Sequence, residues 1–408
     1  MAQALLGGKA VLFTAHSATG DYYEDANIVV QSLPDGPRKV VQRGGFHGRY
    51  LGSGHVVYVH GGTLFAAPFD LERLETTGEP APVLEGVASD IFGGAQFAFS
   101  ARGTLAFLRG QSLDLAVPIL WMDREGKTEP LRAVPANYTN VRFSPDGRLL
   151  AMDIRESSQT DLWVYEWGRE TMSRLTADPG EDERPVWTPD GRRIAFASAR
   201  EDKATTNLYW QRADGTGDAE RLTESKNRQF PSSWHPTGRF LAYDELNPQT
   251  SRDIMILPLE GDEALGWKTG KPTVFLNTPF IEGHAAFSPD GRWLAYISAD
   301  TGRREVFVRP FPGPGGKWPV STGGGTFPTW SRNRKELFYR ASDGTLMVAA
   351  YAAEGDSFRA EKPRQWSPGL VPFRAGIRTF DLHPDGQRFA VPKEPLINNS
   401  SYLIRKWL

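Results

Sequence analysis

The chain has 408 residues, of which 39% are hydrophobic and 24% charged, and its formal net charge is −2. The near-neutral charge and the lack of a basic run interleaved with aromatic residues argue against nucleic-acid binding. The chain contains no cysteine, which excludes disulfides and thiolate metal sites.

The N-terminal stretch lacks the features of a targeting segment. Residues 1–15 include a short apolar run, but Lys9 interrupts it and no basic region precedes it, so no signal peptide is predicted. No apolar run in the chain approaches the roughly 18 residues that a membrane helix needs. Residues 5–13 instead resemble the turn and second strand of a repeat whose first strand is missing or abbreviated, as expected for a portion of a longer array.

One hairpin motif recurs along the chain. Its clearest copy is residues 287–296, where Ser288, Pro289, Asp290 and Gly291 suit the four positions of a type I turn. Further copies of this turn, some of which match the motif only in part, stand at residues 51–54, 100–103, 144–147, 188–191, 235–238, 331–334 and 383–386. Eight copies indicate a repeat protein.

The spacing of the repeats predicts the fold. The first turn residues stand at positions 51, 100, 144, 188, 235, 288, 331 and 383. A period of about 47 residues, with four short strands in each unit, is typical of propeller blades. Because one ring of blades can contain all of these repeats, we predict a single β-propeller domain over residues 1–408.

Each repeat supplies short strands rich in β-branched and aromatic residues, and no convincing amphipathic helix accompanies them. The strand before each turn ends in a bulky residue that we expect to fill the space between blades: Tyr50, Phe99, Phe143, Trp187, Trp234, Phe287, Trp330 and Leu382. The fold class is therefore predicted as all-β, a propeller of four-stranded antiparallel blades.

Ring closure sets the number of blades. A lone four-stranded sheet cannot bury both faces, and a closed ring protects all but its outer edges. Strand segments from both chain ends remain for one shared blade: residues 10–13, 27–31, 39–41, 378–382, 388–391 and 402–407. We predict eight blades, with the terminal strands sharing the closing blade, and nine blades is the alternative.

The repeat resembles a known family. The Ser-Pro-Asp-Gly-Arg-x-Leu-Ala-Tyr hairpin and the Arg-Leu-Thr strand at residues 221–223 are similar to the TolB-type propeller repeat, a relative of the WD repeat. Residues 54–70 and 298–312 resemble one subgroup, the C-terminal propeller region of bacterial transmembrane serine/threonine protein kinases. This resemblance implies a sensing or interaction module.

The same resemblance limits the function. No glycine-rich loop with its lysine, no His-Arg-Asp loop and no Asp-Phe-Gly is present, so phosphoryl transfer is not carried over. The family implies a location outside the cytoplasmic membrane if the chain is part of a longer membrane-anchored protein, and otherwise a cytoplasmic one.

Propeller function is expected at the funnel mouth, where the fourth strand of one blade leads to the first strand of the next. The polar residues predicted to lie on this rim and to bind a ligand are Asp182, Glu183, Arg228, Gln229, Glu282, His284 and Arg378, with Arg184 and His47 also in such connections. The alternative hypothesis is that these residues form a solvent-exposed rim that binds no ligand.

The sequence contains no complete catalytic motif and no complete set of metal ligands. Glu282 and His284 stand two apart on an extended segment, so both could reach one cation, but no third ligand can be identified. No Gly-x-Ser-x-Gly elbow and no His-Glu-x-x-His pair occurs. His235 and His383 occupy first turn positions and are predicted to cap the hairpin backbone. The turn aspartates are predicted to have a structural role in the hairpins.

We therefore expect a non-enzymatic propeller that binds a protein, peptide or small ligand across its funnel face, as a sensor or scaffold, without a cofactor. The expected protein is a monomer that neither inserts into a membrane nor binds nucleic acid. The rival hypothesis is a metal-dependent propeller enzyme of lactonase or lyase type with a central cation. A third is a spacer within a larger kinase.

Overall fold

The computed structural model describes residues 2–15, 26–89, 94–100, 103–109, 116–156, 159–202, 205–264, 266–313, 315–372, 377–393 and, for the backbone alone, 402–406. Within these residues the chain consists of antiparallel β-strands and one single-turn 3-10 helix, Leu6–Gly8. The predicted all-β fold class is confirmed. No helix in the described ranges has the length and apolar character to span a membrane. Two residues of the predicted turn at 100–103, and Trp407, lie outside the described residues.

The chain divides into two compact units. Met1–Asp114 and Pro395–Leu408 form the N-terminal unit, and Leu115–Glu394 forms the ring unit.

The described residues of the N-terminal unit form three sheets. The first has the order β1 (Ala2–Leu5), β2 (Ala10–Ala15), β3 (Asn27–Ser32) and β4 (Arg38–Arg43). The second is β5 (Phe46–Leu51), β6 (His55–His60) and β7 (Thr63–Asp70), with β8 (Glu75–Thr76) and β9 (Ala81–Leu84) both paired to β7. The third is β10 (Phe97–Phe99), β11 (Thr104–Leu108) and β38 (Tyr402–Lys406). The first strand of the first repeat is thus present as the four-residue β1.

Five sheets of the ring unit follow one another along the chain, and we number them as blades 1 to 5. Blade 1 is β14 (Tyr138–Phe143), β15 (Leu149–Glu156), β16 (Gln159–Glu166) and β17 (Thr171–Arg174). Blade 2 is β18 (Asp182–Trp187), β19 (Arg193–Ser198), β20 (Asn207–Arg212) and β21 (Glu220–Arg221). Blade 3 is β22 (Gln229–Trp234), β23 (Phe240–Asn247) and β24 (Ser251–Asp262), with β25 (Gly266–Thr269) and β26 (Thr273–Leu276) both on β24.

Blades 4 and 5 repeat the arrangement. Blade 4 is β27 (Glu282–Phe287), β28 (Trp293–Ser298), β29 (Glu305–Pro310) and β30 (Trp318–Pro319). Blade 5 is β31 (Thr326–Trp330), β32 (Glu336–Arg340) and β33 (Thr345–Glu354), with β34 (Ser357–Ala360) and β35 (Arg364–Leu370) both on β33.

Blade 6 closes the ring with strands from two distant parts of the chain. Its order is β13 (Thr128–Ala136), β12 (Val117–Met122), β37 (Phe389–Pro392) and β36 (Asp381–Leu382). The ladder between β12 and β37 pairs Leu120 with Val391. Apolar clusters join blade 6 to blade 1 on one side and to blade 5 on the other, and further clusters join each remaining pair of neighbours.

The predicted blade count is not confirmed, and the ring that the described strands form differs in extent from the predicted one. The ring that closes has six blades and lies within Leu115–Glu394, in place of eight or nine over residues 1–408. A blade shared between distant segments is present, but it does not contain the N-terminal strands predicted for it. Strand β37 pairs with β12, β36 pairs with β37, and β38 pairs with β11 in the N-terminal unit. The physical reason is that β37 finds its antiparallel partner and its apolar neighbours in residues 117–136.

The bulky residue at the end of each inner strand fills the space between blades, as predicted. In the ring unit all six of these side chains are less than 8% exposed and belong to the clusters between blades: Phe143, Trp187, Trp234, Phe287, Trp330 and Leu382. Two indoles also donate to the neighbouring inner strand, from Trp187 Nε1 to the Arg142 carbonyl at 3.0 Å and from Trp330 Nε1 to the Ala286 carbonyl at 2.9 Å.

The hairpin turns use the chemistry that the sequence predicts. In blade 4 the Ser288 hydroxyl donates to the Asp290 carboxylate, which accepts the Arg292 amide at 3.1 Å. Gly291, with φ of 72°, donates its amide to the Ser288 carbonyl at 2.9 Å. The turn aspartate therefore has the predicted structural role, since it bonds to its own hairpin.

A candidate binding cavity in the ring unit

The inner strands of the ring unit carry a bulge that changes the direction of their side chains. In blades 1, 2, 4 and 5 the pairing shifts register four residues before the turn. The residue there has positive φ: 33° at Asn140, 60° at Arg184, 52° at His284 and 54° at Phe327. These four residues line an internal space of only about 30 Å³, which is room for about one water molecule.

The imidazole ring of His284 packs in this interior through its face. The imidazole stacks on Phe327 with ring centroids 4.2 Å apart, and neither ring nitrogen has a hydrogen-bond partner among the described residues. Burial lowers the pKa of His284 well below its ordinary value, and the Arg252 and Arg184 guanidinium groups act in the same direction. The ring is therefore neutral.

Two buried carboxyl groups support the bulges. Asp153 accepts from the Thr139 hydroxyl at 2.8 Å and from the side-chain amide of Asn140, Nδ2, at 3.0 Å. Burial raises the pKa of Asp153 to about 6. Asp244 accepts from the Ser232 hydroxyl at 3.0 Å and the His284 backbone amide at 3.3 Å, and burial raises its pKa also.

Three of the predicted rim residues are almost completely buried. Asp182 is 0% exposed, and both Gln229 and Glu282 are 2% exposed. They stand six residues before the turns of blades 2, 3 and 4, an end of the inner strands that we call the rim end. The prediction that they form a solvent-facing rim is wrong, because each completes a buried contact.

Those buried contacts hold the strands together. Asp182 receives Arg200 Nη2 on both oxygens at 3.2 Å. The Gln229 side chain accepts from the Thr223 hydroxyl, and Glu282 accepts from the Thr278 hydroxyl at 2.8 Å. Burial raises the pKa of Asp182 and of Glu282.

Glu183 and Arg228 do come together at the rim end. A Glu183 oxygen lies 3.7 Å from Arg228 Nη2 and another lies 3.7 Å from Arg184 Nε. Both guanidinium groups cover the Phe230 ring, with Cζ 3.8 Å from its centroid for Arg184 and 5.2 Å for Arg228. The group is a cation–π cluster whose charged side chains are only 14–15% exposed.

Arg378 joins blade 6 to blade 5. Its Nη2 donates to Asp381 Oδ1 at 2.6 Å and to the Thr329 hydroxyl at 2.7 Å, and its Nε donates to the Phe380 carbonyl at 3.2 Å. Its backbone amide donates to Asn140 Oδ1 of blade 1 at 3.0 Å. The residue is buried, yet it lines the ring interior.

The rival hypothesis of a cation shared by Glu282 and His284 does not fit the positions of these side chains. The strand alternation stops at the bulge, so His284 stacks on Phe327 while Glu282 bonds to Thr278. Among the residues that the structure describes, no group of three or more His, Asp or Glu side chains could hold a metal ion. His47 lies in the N-terminal unit, where its Nδ1 accepts the Ala95 amide at 3.1 Å.

The larger cavity of the ring unit lies at the opposite end of the inner strands. We call it the turn-end cavity, because hairpin-turn residues of all six blades surround it. Its volume is about 410 Å³. The lining combines proline and aromatic residues with Ser232, Ser233 and Thr329, and its charged residues are Arg142, Arg332, Arg378 and Asp381.

Sequence reasoning missed Arg142 and Arg332. The second turn position is proline in five blades and arginine in blade 5: Pro145, Pro189, Pro236, Pro289, Arg332 and Pro384. This departure from the repeat was the signal that could have identified Arg332. Arg142 follows the bulge of blade 1 and has no such signal.

Both arginines reach towards blades that are not their neighbours. Arg142 Nη2 of blade 1 donates to the Ser232 carbonyl of blade 3 at 3.2 Å. Arg332 Nη1 of blade 5 donates to the Pro145 carbonyl of blade 1 at 2.6 Å. Asp381 Oδ1 lies 4.0 Å from Arg142 Nη1, and its Oδ2 accepts the Phe143 amide at 3.0 Å.

Two histidines hold adjacent turns together. His235 Nδ1 bonds to the Thr237 hydroxyl at 2.7 Å, and His383 Nδ1 accepts the Asp385 amide at 3.3 Å. Both therefore cap their own hairpins, as predicted. Their Nε2 atoms also contact the turn glycine carbonyl of the next blade, Gly291 at 3.1 Å and Gly147 at 3.3 Å.

The six closed antiparallel sheets define a β-propeller, and comparison with known proteins specifies its type. The family model for the TolB beta propeller domain matches residues 122–265. A solved structure described as a putative TolB from Agrobacterium tumefaciens is 18% identical, with a TM-score of 0.52, over 68% of this chain and 97% of its own. The ring unit carries the TolB-type fold, and the predicted resemblance to that repeat is confirmed.

Curated relatives match smaller portions. An uncharacterized peptidase, YuxL of Bacillus subtilis, is 26% identical over 39% of this chain and 29% of its own length. The Tol-Pal system protein TolB of Helicobacter pylori is 23% identical over 38% of this chain and 35% of its own. The chain thus spans about a third or less of these two relatives. The kinase-associated subgroup stays a prediction.

Proposed function

We propose that the ring unit is a non-enzymatic binding module that holds a peptide segment of a partner protein in the turn-end cavity. The observation that carries this proposal is the cavity itself, about 410 Å³ with contributions from all six blades. Pockets that bind ligands occupy roughly 300–1,000 Å³ and combine an apolar lining with a few polar groups. This proposal puts the binding site at the end of the inner strands opposite to the predicted funnel face.

The lining favours a peptide as the occupant. The proline and aromatic residues of the lining offer contact area for the apolar side chains of a peptide. The relatives named as a peptidase and as a Tol-Pal system protein both place related propellers in proteins with polypeptide substrates or protein assemblies. A sensor attached to a longer membrane kinase is one setting in which such a module would serve.

The test blocks the cavity from its mouth. Pro236 and Pro289 are exposed residues of neighbouring blades that line the cavity, so P236W and P289W together narrow the entrance without altering a buried contact. R303W adds the same bulk to an exposed loop of blade 4 outside the cavity lining and is the matched control.

The probe is a displayed library of random octapeptides selected on the wild-type protein. Peptides so selected should lose at least tenfold in affinity for the double variant and keep their affinity for R303W, with thermal unfolding showing that both variants fold. Equal affinity for all three proteins would contradict binding in this cavity, as would failure to select any peptide.

A further inference from the structure

The turn-end cavity has an excess of positive charge. Its charged lining comprises three guanidinium groups, from Arg142, Arg332 and Arg378, and one carboxylate, from Asp381. Arg378 pairs directly with Asp381 at 2.6 Å. Two positive charges therefore remain over the lining as a whole, in a site partly shielded from water, where charges interact more strongly than in bulk solvent.

Arg142 and Arg332 retain donors for a ligand. A guanidinium has five N–H donors, and the contacts described above use one donor of each residue on a neutral carbonyl, that of Ser232 for Arg142 and that of Pro145 for Arg332. These hydrogen bonds fix the two guanidinium groups. Asp381 also lies 4.0 Å from Arg142, but Arg378 binds the same carboxylate at 2.6 Å, so this one negative charge does not neutralise the three arginines. Burial lowers the pKa of Arg142, with Arg378 acting in the same direction and Asp381 opposing it, so an added negative charge would be favourable.

We propose that the turn-end cavity binds a carboxylate carried by a peptide, with Arg332 and Arg142 as its recognition residues. The proposal rests on the proposed function and specifies its ligand chemistry. A planar carboxylate matches the donor fork of arginine and can accept two parallel hydrogen bonds. The apolar part of the lining suits the rest of a peptide better than it suits a small inorganic anion.

Two sources supply such a group: the C-terminal carboxylate of a peptide, and the side chain of Asp or Glu. Three peptides separate them, measured by isothermal titration calorimetry on the full chain. They are Ac-Gly-Leu-Phe-Leu with a free carboxylate, its C-terminal amide, and the amide in which Glu replaces the first Leu. At least one of the two carboxylate peptides should bind tenfold or more tightly than the neutral amide, and the tighter one identifies the source.

Variants of blade 5 test the residue assignment. R332P restores the proline that the other five blades carry at this position, so it preserves the turn, and R332E reverses the charge. Both should weaken binding of the carboxylate peptide at least tenfold and leave that of the neutral amide unchanged. Arg334, an exposed residue of the same turn outside the cavity lining, provides the control R334E, which should bind as the wild type does.

The outcomes separate the two proposals. Equal binding of all three peptides, sensitive to the blocked mouth, would leave peptide binding standing and overturn carboxylate recognition. The same recognition would be overturned by inorganic phosphate binding more tightly than either carboxylate peptide, or by R332P and R332E binding as the wild type does. No binding by any peptide would count against both proposals.

Discussion

The two ends of the inner strands in the ring unit use polar residues in opposite ways. At the rim end, Asp182, Gln229 and Glu282 are almost fully buried and have partners within the fold. At the turn end, Arg142 and Arg332 line a cavity and donate to neutral carbonyl groups, and the one carboxylate near Arg142, that of Asp381, is bound more closely by Arg378. The comparison teaches that a polar residue in a loop-to-strand connection of a propeller is no guide to ligand binding until its partners are known.

The difference follows from the repeat. Asp182, Gln229 and Glu282 stand at one equivalent position, six residues before the turn, in three successive blades. At this position the repeat places each side chain inside the fold, where a nearby residue binds it: Arg200, Thr223 and Thr278 respectively. Arg332 breaks the pattern at a position where the other blades carry proline, so its charge is not explained by the hairpin.

The largest expected effect comes from removing a rim-end carboxylate. Asp182→Ala leaves Arg200, whose side chain is 17% exposed, without its partner, and removing one member of a buried ion pair costs about 3–5 kcal/mol. Urea denaturation followed by tryptophan fluorescence should show a loss near the lower end of that range. The exposed pair Arg212–Asp214 of the same blade gives the control Asp214→Ala, with a loss of about 1 kcal/mol or less.

This variant also tests the comparison itself. If Asp182 were a ligand group of a solvated rim, Asp182→Ala would change peptide affinity and leave the midpoint of denaturation in place. The structure predicts the reverse, a shifted midpoint with unchanged affinity at the turn-end cavity for the protein that remains folded.

Local features of the fold were predictable from sequence. The turn from Ser288 to Gly291 specifies its own hairpin through hydrogen bonds among neighbouring residues, and the bulky strand ends are buried because every blade must cover the next. Ring closure was not predictable, because β12 and β37 are far apart in the chain and nothing in the repeat spacing shows that they pair. Counting repeats therefore gave one ring where the structure has a six-bladed ring and a separate unit.

The candidate site also depends on features that the sequence alone did not predict. The alternation of extended strands predicted a common side for Glu282 and His284, but the bulge at His284 changes the direction of the side chain, and its positive φ has no sequence signal in a histidine. The turn-end cavity depends on residues from six blades, which become neighbours only when the ring closes.

The next largest effect concerns the contact between turns. Gly291 and Gly238 both have φ of 72°, but a β-carbon on Gly291 would collide with His235 Nε2, whereas one on Gly238 meets nothing within 4 Å. Gly238→Ala should therefore cost about 1 kcal/mol from backbone strain alone. Gly291→Ala should cost about 1–3 kcal/mol more, since small-to-large changes in packed sites cost that amount.

Urea denaturation of the two glycine variants measures this difference directly. A double variant in which His235 is also changed to Ala should recover most of the additional loss, because the collision is then removed. Equal destabilisation by Gly291→Ala and Gly238→Ala would show that His235 does not pack against the next turn in solution.

The smallest expected effect is a pH dependence of stability due to His284. Burial, Arg252 and Arg184 lower its folded-state pKa below the unfolded value of about 6.5, so the unfolded chain binds the additional proton first as pH falls. The contribution of His284 to stability is present above about pH 6.5 and is lost as pH decreases towards the folded-state pKa.

His284→Phe isolates this effect, because Phe keeps the stacking contact with Phe327 and cannot take a proton. The free energy of unfolding of the wild type, minus that of the variant, should be constant near pH 8 and should fall by about 1 kcal/mol for each pH unit below 6.5. Subtracting the variant also removes the opposite contributions of Asp244 and Asp153, whose pKa values burial raises. A difference that stays flat down to pH 5 would mean that the imidazole takes up its proton without unfolding, and hence that the ring interior at the bulge is open to water.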